Sequence, residues 1–218
     1  MSLLLVMGES KQNLQSWKHI IPHKELNEIL PKLTGSISPT RDKIFRAFEL
    51  CNYNNLNCII LGMDPYTDPK LATGLAFANP AAVLSPSLLH VRDAALGDEL
   101  KCHFDPTLEE WAKQGVLLLN SALTTKAGES KAHLMTWRPF IAKFLRNLSE
   151  VSPGLVYILL GEVAQTFTPY IGKNNHILTD KHPAYYARLE ENMPSTVFIQ
   201  TNNLLKQLNN LTIDWSKH

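Results

Sequence analysis

The sequence predicts an α/β fold with a central four-stranded parallel sheet flanked by helices, and two observations support this. Short apolar runs bounded by turn-forming residues are typical of strands buried on both faces; they span residues 57–62, 115–120, 155–161 and, more weakly, 176–180. Stretches with helical spacing separate these runs. This alternation indicates an α/β domain, and 218 residues with 44% hydrophobic content suffice for one core. We expect a single domain over residues 1–218.

The chain before the first strand is predicted to be helical scaffold. Apolar residues recur at helical spacing over residues 15–33, and the interruptions at Pro22 and Pro31 indicate two short helices. Residues 38–40 (Ser-Pro-Thr) then predict a helix that begins with a Ser or Thr N-cap and continues to Cys51.

The segment after the first strand is predicted to be a loop followed by two helices. Pro and Gly interrupt residues 68–80 too often for a long regular element, so we expect an ordered surface loop of the kind that often carries function. Ser85 and Asp105, each followed by Pro, should begin helices that end near Gly97 and Gly115.

The later part of the chain adds further helices. Apolar residues fall on one face between Trp137 and Leu148, which predicts an amphipathic helix. The apolar run over residues 196–200 is consistent with either an edge strand or an extended segment, followed by a helix over residues 203–211.

Charge and cysteine content argue against several classes of protein. The 21 Lys and Arg against 20 Asp and Glu speak against a generally basic nucleic-acid coat. Cys51, Cys58 and Cys102 are odd in number and lack Cys-x-x-Cys spacing, so we expect buried thiols rather than disulfides or a metal site. The apolar residues 2–7 are too few for a signal peptide or membrane helix. We therefore expect a soluble intracellular protein without membrane contact.

Polar side chains follow the predicted strands where a parallel sheet places its ligands. Asp64, Tyr66, Asn120 and His182 would project from strand ends into one crevice. A carboxylate can hold water or stabilise a cation, an amide can pair with an amide-like edge, and an imidazole can donate to developing negative charge. Each residue alone is also consistent with an ordinary turn or loop position. Their combination favours a catalytic site.

These residues and their neighbours resemble the family 1 uracil-DNA glycosylases. The matching motifs are residues 62–66 (Gly-Met-Asp-Pro-Tyr), 74–77 (Gly-Leu-Ala-Phe), 85–89 (Ser-Pro-Ser-Leu-Leu), 117–120 (Leu-Leu-Leu-Asn) and 182–183 (His-Pro). With flanking landmarks, the resemblance extends from about residue 36 to residue 215. It implies hydrolysis of the bond between uracil and deoxyribose, without metal or cofactor, on a base flipped out of DNA.

The resemblance assigns roles in recognising the base. Phe77 would stack on the uracil ring, and Asn120 would pair with its polar edge and so distinguish it from cytosine. Tyr66 would occupy the space beside ring carbon 5 and exclude the methyl group of thymine. Met63, where the family usually has Gln, would offer mainly its backbone.

The resemblance also assigns the catalytic and DNA-binding roles. Ionised Asp64 would stabilise positive charge on the sugar and orient the attacking water. Neutral His182 would donate a hydrogen bond to a uracil oxygen, and such a donor is typically worth about 3 kcal/mol of barrier. Ser87, at a helix start, would bind a DNA phosphate.

The chain departs from the family pattern at Thr67 and at residues 182–188. The family has His at the position of Thr67, which leaves open how the attacking water is held. In the second segment (His-Pro-Ala-Tyr-Tyr-Ala-Arg), alanines replace two phosphate-binding serines and Tyr186 replaces the Leu that wedges into the duplex. We assign Tyr185, Tyr186 and Arg188 to DNA binding and expect weaker or altered binding of duplex DNA.

Basic residues near these loops form two groups. Lys126, Lys131, His133 and Arg138 are as consistent with a solvated helix face as with a DNA track. Lys181 and Arg188, beside His182, favour DNA contact.

The sequence thus predicts a monomeric uracil-DNA glycosylase of base-excision repair, acting on uracil-containing DNA of one or two strands. We expect it in the cytoplasm, or in the nucleus if the source is eukaryotic or viral. The resemblance leaves room for a DNA-mimic inhibitor protein as a second partner. One alternative is a DNA-binding or replication-processivity module with little catalysis. Another is a glycosylase for thymine or a damaged pyrimidine, against which Tyr66 argues.

Overall fold

The computed structural model of the chain describes residues 12–97 and 104–218. These residues form two sheets. The strands are β1 (Ile37–Ser38), β2 (Cys58–Gly62), β3 (Val116–Asn120), β4 (Thr125–Lys126), β5 (Val156–Leu160) and β6 (His176–Asp180). The main sheet is parallel, in the order β3-β2-β5-β6, and β1 pairs antiparallel with β4. The predicted four-stranded parallel sheet is therefore confirmed.

Helices pack around this sheet. In chain order they are α1 (Gln12–Ser16), α2 (His23–Ile29), α3 (Arg46–Leu50), α4 (Pro86–Leu96), α5 (Glu109–Lys113), α6 (Leu134–Val151), α7 (Glu162–Gln165), α8 (Pro183–Leu189) and α9 (Thr196–Asn209). Short 3-10 turns lie at Leu30–Lys32, Arg41–Lys43, Tyr53–Asn55 and Thr168–Tyr170. No helix in the described part of the chain is long and apolar enough to cross a bilayer.

The register of the sheet brings the strand ends together. β2, β3 and β5 are buried along their whole length, whereas the edge strand β6 is partly exposed. Gly62 lies opposite Asn120, and Leu160 lies opposite Asp180. Since all four strands run in the same direction, the residues that follow them meet at one edge of the sheet.

Several predicted helix boundaries are confirmed. Helix α4 has the Ser85 side chain as its N-cap and ends at Gly97, whose φ of 68° is in the region that favours glycine. The predicted amphipathic helix is α6, which begins one turn earlier than Trp137. The scaffold before the first strand does contain two short helices, although α1 begins before residue 15.

The helix predicted to begin at residues 38–40 begins later. Thr40 precedes only the 3-10 turn at Arg41–Lys43, without a side-chain cap bond, and Ser38 is not a cap either. Ser38 lies in β1, its peptide bond to Pro39 is cis, and its hydroxyl donates to the Tyr66 carbonyl oxygen at 2.5 Å. That hydroxyl is therefore not available as a helix cap. Helix α3 instead begins at Arg46, with Phe45 at the N-cap position and no side-chain cap.

The predicted strand or extended segment over residues 196–200 is also wrong, because these residues begin α9. Val197, Phe198, Thr201 and Leu205 are buried on one face, whereas Ile199 is 56% exposed. Packing of a helical stripe has overridden the β-propensity of the apolar run.

Two smaller predictions need correction. The helix expected to start at Asp105 begins at Glu109, because the Asp105 carboxylate accepts the Thr107 N–H at 2.9 Å and stabilises a turn instead. The loop over residues 68–80 is ordered, but residues 75–79 are buried rather than at the surface. Two of them, Leu75 and Phe77, line a cavity beyond the ends of the strands.

The thiol prediction is confirmed where the structure describes it. Cys51 and Cys58 are free and buried, and burial raises the pKa of Cys51 to about 12. Cys102 and the apolar residues 2–7 lie outside the described residues. The single domain over residues 1–218 stays a prediction.

Candidate active site

A cavity of about 260 Å³ lies beyond the carboxyl ends of β2 and β3. Most of the residues predicted to form the site line this one space. They are Met63, Asp64, Tyr66, Phe77, Ser87, Asn120 and His182. Parallel strands thus place side chains far apart in sequence around a common crevice.

Gly62 lies against two residues that line the cavity, Asn120 and Phe77. A Cβ atom at this position would lie 2.6 Å from Asn120 Oδ1 and 3.1 Å from Phe77 Cζ. The lack of a side chain therefore allows the amide and the ring to approach the strand end. The Gly62 carbonyl oxygen accepts both the N–H and the hydroxyl of Ser121, at 3.0 and 2.7 Å, which fixes β3 beside it.

Asn120 and Phe77 present complementary surfaces to this space. Asn120 is 7% exposed, and within the described ranges no protein group bonds to its side-chain amide. Its donor and acceptor are therefore available to a ligand. Phe77 has a φ of 67°, a rare conformation for an aromatic residue, and strain of this kind is common at binding sites.

Hydrogen bonds immobilise the Tyr66 ring. Its hydroxyl donates to the Phe77 carbonyl oxygen at 2.9 Å and lies 2.6 Å from the Ser85 hydroxyl. Because the phenol proton is used by Phe77, Ser85 donates to the phenol oxygen while accepting the Leu88 N–H. Burial raises the pKa of Tyr66, so the phenol stays protonated at neutral pH. The ring is a rigid wall of the cavity.

The Asp64 carboxylate is held from one side. Its Oδ2 accepts hydrogen bonds from the Ser130 hydroxyl at 3.0 Å and from the Lys131 N–H at 2.5 Å. Ser130 also lines the cavity.

His182 is oriented by the helix that it begins. It is the N-cap of α8, and its Nδ1 accepts the Ala184 N–H at 3.2 Å. An Nδ1 that accepts carries no proton, so the neutral ring carries its proton on Nε2. The Phe77 and His182 ring centroids are 5.7 Å apart. Nε2–H is therefore a donor beside the aromatic wall.

The surroundings of His182 keep it neutral. Burial lowers its pKa below the ordinary value of 6.5, and the positive charges of Arg188 and Lys131 lower it further. The negative charge of Asp64 acts in the opposite direction. Gly161 also matters here, because a Cβ on it would lie 2.8 Å from His182 Cβ.

Comparison with known proteins identifies the family. The chain matches the uracil DNA glycosylase superfamily over residues 48–206. It is 33% identical over 215 residues to the uracil-DNA glycosylase of Aliarcobacter butzleri, and the match covers 92% of this chain and 100% of the relative.

The chain belongs to the uracil DNA glycosylase superfamily.

A second relative supports this placement, and two solved structures share the fold. The uracil-DNA glycosylase of Exiguobacterium sibiricum is 34% identical over 185 residues, covering 83% of this chain and 84% of the relative. Mimivirus uracil-DNA glycosylase shares the fold, with a TM-score of 0.75 at 23% identity over 99% of this chain and 93% of that chain. A mimivirus UNG variant solved in complex with UGI has a TM-score of 0.76, with 23% identity over 99% of this chain and 91% of that chain.

A second cavity of about 300 Å³ adjoins the first, and Met63 and His182 line both. Lys131, Lys181 and Arg188 line it, together with one carboxylate, Glu162. Within residues 12–97 and 104–218, no carboxylate lies in ion-pair range of these three cations. The groove therefore presents net positive charge beside the base-sized cavity.

The structure places the Tyr186 side chain inside the protein, and its assignment to DNA contact stays a prediction. Its side chain is 8% exposed, its hydroxyl donates to Asp180 Oδ1 at 2.5 Å, and its ring packs 6.4 Å from the ring of His90. A ring held in this way anchors α8 to the neighbouring elements. Tyr185, in contrast, is 37% exposed, lies beside the second cavity and has the Lys181 ammonium 5.6 Å from its ring centroid.

The basic residues after Asn120 divide between different places. Lys131 lines the second cavity. His133 is buried, Arg138 stacks over the Phe167 ring at 4.8 Å, and Lys126 pairs with a neighbouring carboxylate. They do not form a continuous track.

Sequence reasoning missed three residues that shape the site. Ser130 bonds to Asp64, Gly161 gives room to His182, and Ser85 fixes the Tyr66 hydroxyl. Ser85 was recognisable as a helix cap, but its second contact was not. Ser130 is 66 residues from Asp64, so no local pattern connects the two.

Proposed function

We propose that this protein is a uracil-DNA glycosylase, which takes a uracil nucleotide flipped out of DNA and hydrolyses its N-glycosidic bond to leave an abasic site. The observation that supports this best is the cavity itself. One space of about 260 Å³ brings together a carboxylate, a neutral imidazole, a free amide and an aromatic ring. Release of free uracil from a labelled oligonucleotide tests the proposal directly.

The cavity walls suit uracil as the base. The Phe77 ring would stack on the base, and the Asn120 amide would pair with its polar edge. The immobilised Tyr66 ring would stand beside ring carbon 5, where a thymine methyl would clash. Met63 would contribute backbone, and its carbonyl oxygen already accepts the Ala122 N–H at 3.1 Å.

Bond cleavage would divide charge between two residues. The bond between C1′ and the base nitrogen breaks with its electron pair on uracil, which leaves positive charge on the sugar. Asp64 would stabilise that positive charge, position the water that adds to C1′, and accept the water's proton. His182 Nε2–H would donate to the uracil oxygen on which negative charge develops. Neither step uses a metal or cofactor.

The DNA strand would run along the second cavity. Arg188, Lys181 and Lys131 would contact phosphates, and Ser87, near the N-terminus of α4, would bind another. Tyr185 is exposed and suited to stacking in the space that the flipped base leaves. Because Ala184 and Ala187 have no hydroxyl where the family pattern has phosphate-binding serines, we propose weaker binding of duplex DNA than that pattern implies.

Replacing Tyr66 by Ala should make thymine a substrate. Removal of the ring opens space for the methyl group, so we expect measurable release of thymine and a decrease of about tenfold in uracil release from lost packing. The measurement is release of each base from matched oligonucleotides.

The matched control is Tyr66→Phe, which keeps the ring and removes only the hydroxyl. It should still exclude thymine. A Tyr66→Ala protein that releases uracil normally and never releases thymine would contradict the role of this wall.

The pH dependence of the wild type should report the lowered pKa of His182. The active imidazole is neutral; protonation would place a proton on Nδ1 and break the bond from the Ala184 N–H. Activity is therefore present above the His182 pKa and lost as the pH falls through it. Because that pKa lies below 6.5, kcat/KM at pH 6.5 should be more than half of its value at pH 8.

The control for this profile is His182→Gln, whose residual activity should lack the acidic decline assigned to the imidazole. If the wild type is half inactive at or above pH 6.5 and this loss disappears in His182→Gln, the neutral-histidine assignment is wrong.

The surface around the two cavities is also suited to a protein inhibitor. The mimivirus neighbour was solved with UGI, and we propose that a DNA-mimic inhibitor protein of that kind would cover the two cavities of this chain as well. The monomeric state and the cytoplasmic or nuclear location stay predictions.

A further inference from the structure

The turn between β4 and α6 contacts the carboxylate assigned to catalysis. Ser130 Oγ and Lys131 N both donate to the same oxygen, Asp64 Oδ2. Among the described residues, no protein donor bonds to Asp64 Oδ1. One oxygen is therefore fixed by protein, and the other is available to the cavity.

The turn is itself built to make this contact. Gly128 N–H donates to the Thr67 carbonyl oxygen at 3.0 Å, and the Thr125 hydroxyl donates to the Glu129 carbonyl oxygen at 2.6 Å. Lys131 has a φ of 68°, which is unfavourable for a residue with a long side chain. The strain coincides with the N–H that points at Asp64, and strained backbone of this kind tends to lie at functional sites.

Thr67 connects this turn to the cavity. Thr67 lines the cavity, and its carbonyl oxygen holds the turn that carries Ser130. The 128–131 turn is therefore held against the cavity wall.

We propose that Ser130 is a positioning residue. Its hydroxyl, with the Lys131 N–H, holds Asp64 Oδ2 so that Oδ1 faces the water and the sugar. The inference rests on the proposed function. In this inference Ser130 affects the rate of the chemical step by orienting Asp64. The alternative is that its hydroxyl only joins two loops.

The test compares steady-state kinetics of uracil release for several variants. Ser130→Ala should lower kcat about tenfold and leave KM within about twofold, because the lost bond acts on the reacting carboxylate and not on DNA binding. Ser130→Thr keeps the hydroxyl and should restore kcat to within about twofold of the wild type. Ser130→Val has the shape of the Thr variant without the hydroxyl and should behave like Ser130→Ala.

Two controls separate positioning from structural support. In an Asp64→Asn background, Ser130→Ala should add less than about twofold, because both changes act on the same group. The second control is Ser216→Ala. The Ser216 hydroxyl also donates to an aspartate, Asp214, at 2.6 Å, but this bond is exposed and lies near the C-terminus. Its loss should leave kcat unchanged. Thermal melting checks that each variant is folded.

The outcomes distinguish the inference from the function on which it rests. An active wild type together with Ser130→Ala at wild-type kcat would overturn the inference alone. So would a loss that Ser130→Thr does not restore, or one that is fully additive with Asp64→Asn. A folded wild type that releases no uracil would overturn the proposed function, and this inference with it.

Discussion

Asp64→Asn is expected to lower kcat for uracil release by about 10³-fold, which corresponds to about 4 kcal/mol of barrier. The amide has nearly the same shape as the carboxylate but carries no negative charge to oppose the cationic sugar. It is also a much weaker acceptor for the proton of the attacking water. Its oxygen can still accept from Ser130 and Lys131, so the fold and the loop contacts should survive.

The matched control for this variant is Asp68→Asn. Asp68 lies four residues further along, is exposed and does not line either cavity; its carboxylate accepts the Lys70 N–H. Single-turnover measurements at saturating enzyme give the chemical step for both variants. If Asp64→Asn turns over within about tenfold of the wild type, another group carries the chemistry and the assignment fails.

His182→Gln is expected to produce the next largest effect, a decrease in kcat of about 10² to 10³-fold. The Nε2–H donor is lost from the position where negative charge develops on the departing base. A glutamine amide can still donate, but its nitrogen does not occupy the place of Nε2, which the Ala184 contact fixes through the imidazole ring. Binding of DNA should change little, because the donor acts mainly in the transition state.

His176→Gln is the control, since His176 begins β6 at the end opposite to His182. Both proteins should melt within a few degrees of the wild type. A His182→Gln protein that loses affinity for DNA while kcat is unchanged would indicate that the histidine binds the strand and does not act on the leaving base.

The sheet and the location of the site were predictable because both depend on sequence over short ranges. Continuous apolar runs that end at Gly62 and Asn120, and a weaker run that ends at Asp180, are typical of strands in a parallel sheet. Parallel strands must end at a common edge, so the polar residues that follow them had to meet. The cavity around Asp64 and Asn120 follows from that geometry.

The errors arise where tertiary contacts outweigh local preference. Ser38 reads as a helix cap, but the Tyr66 carbonyl oxygen uses its hydroxyl. Val197 and Phe198 read as a strand, but burial of one helical face decides their conformation. None of these partners is adjacent in sequence.

Contacts across the molecule explain why part of the site could not be predicted at all. Ser130 donates a hydrogen bond to Asp64, and Gly161 leaves room for His182. Both contacts exist only in the folded chain. A serine in a turn and a glycine after a strand are common, and neither pattern indicates a role in catalysis. Their contribution appears only when the loops are assembled at the edge of the sheet.

The most direct test of the proposed chemistry is release of uracil from a labelled oligonucleotide, single-stranded and duplex, by the wild type and Asp64→Asn side by side. We expect the wild type to release uracil and leave an abasic site, with the duplex a poorer substrate than the family pattern implies, and Asp64→Asn to be nearly inactive. A folded wild type that binds the DNA but releases no uracil from either substrate would contradict the proposed glycosylase activity. It would favour a DNA-binding or replication-processivity module.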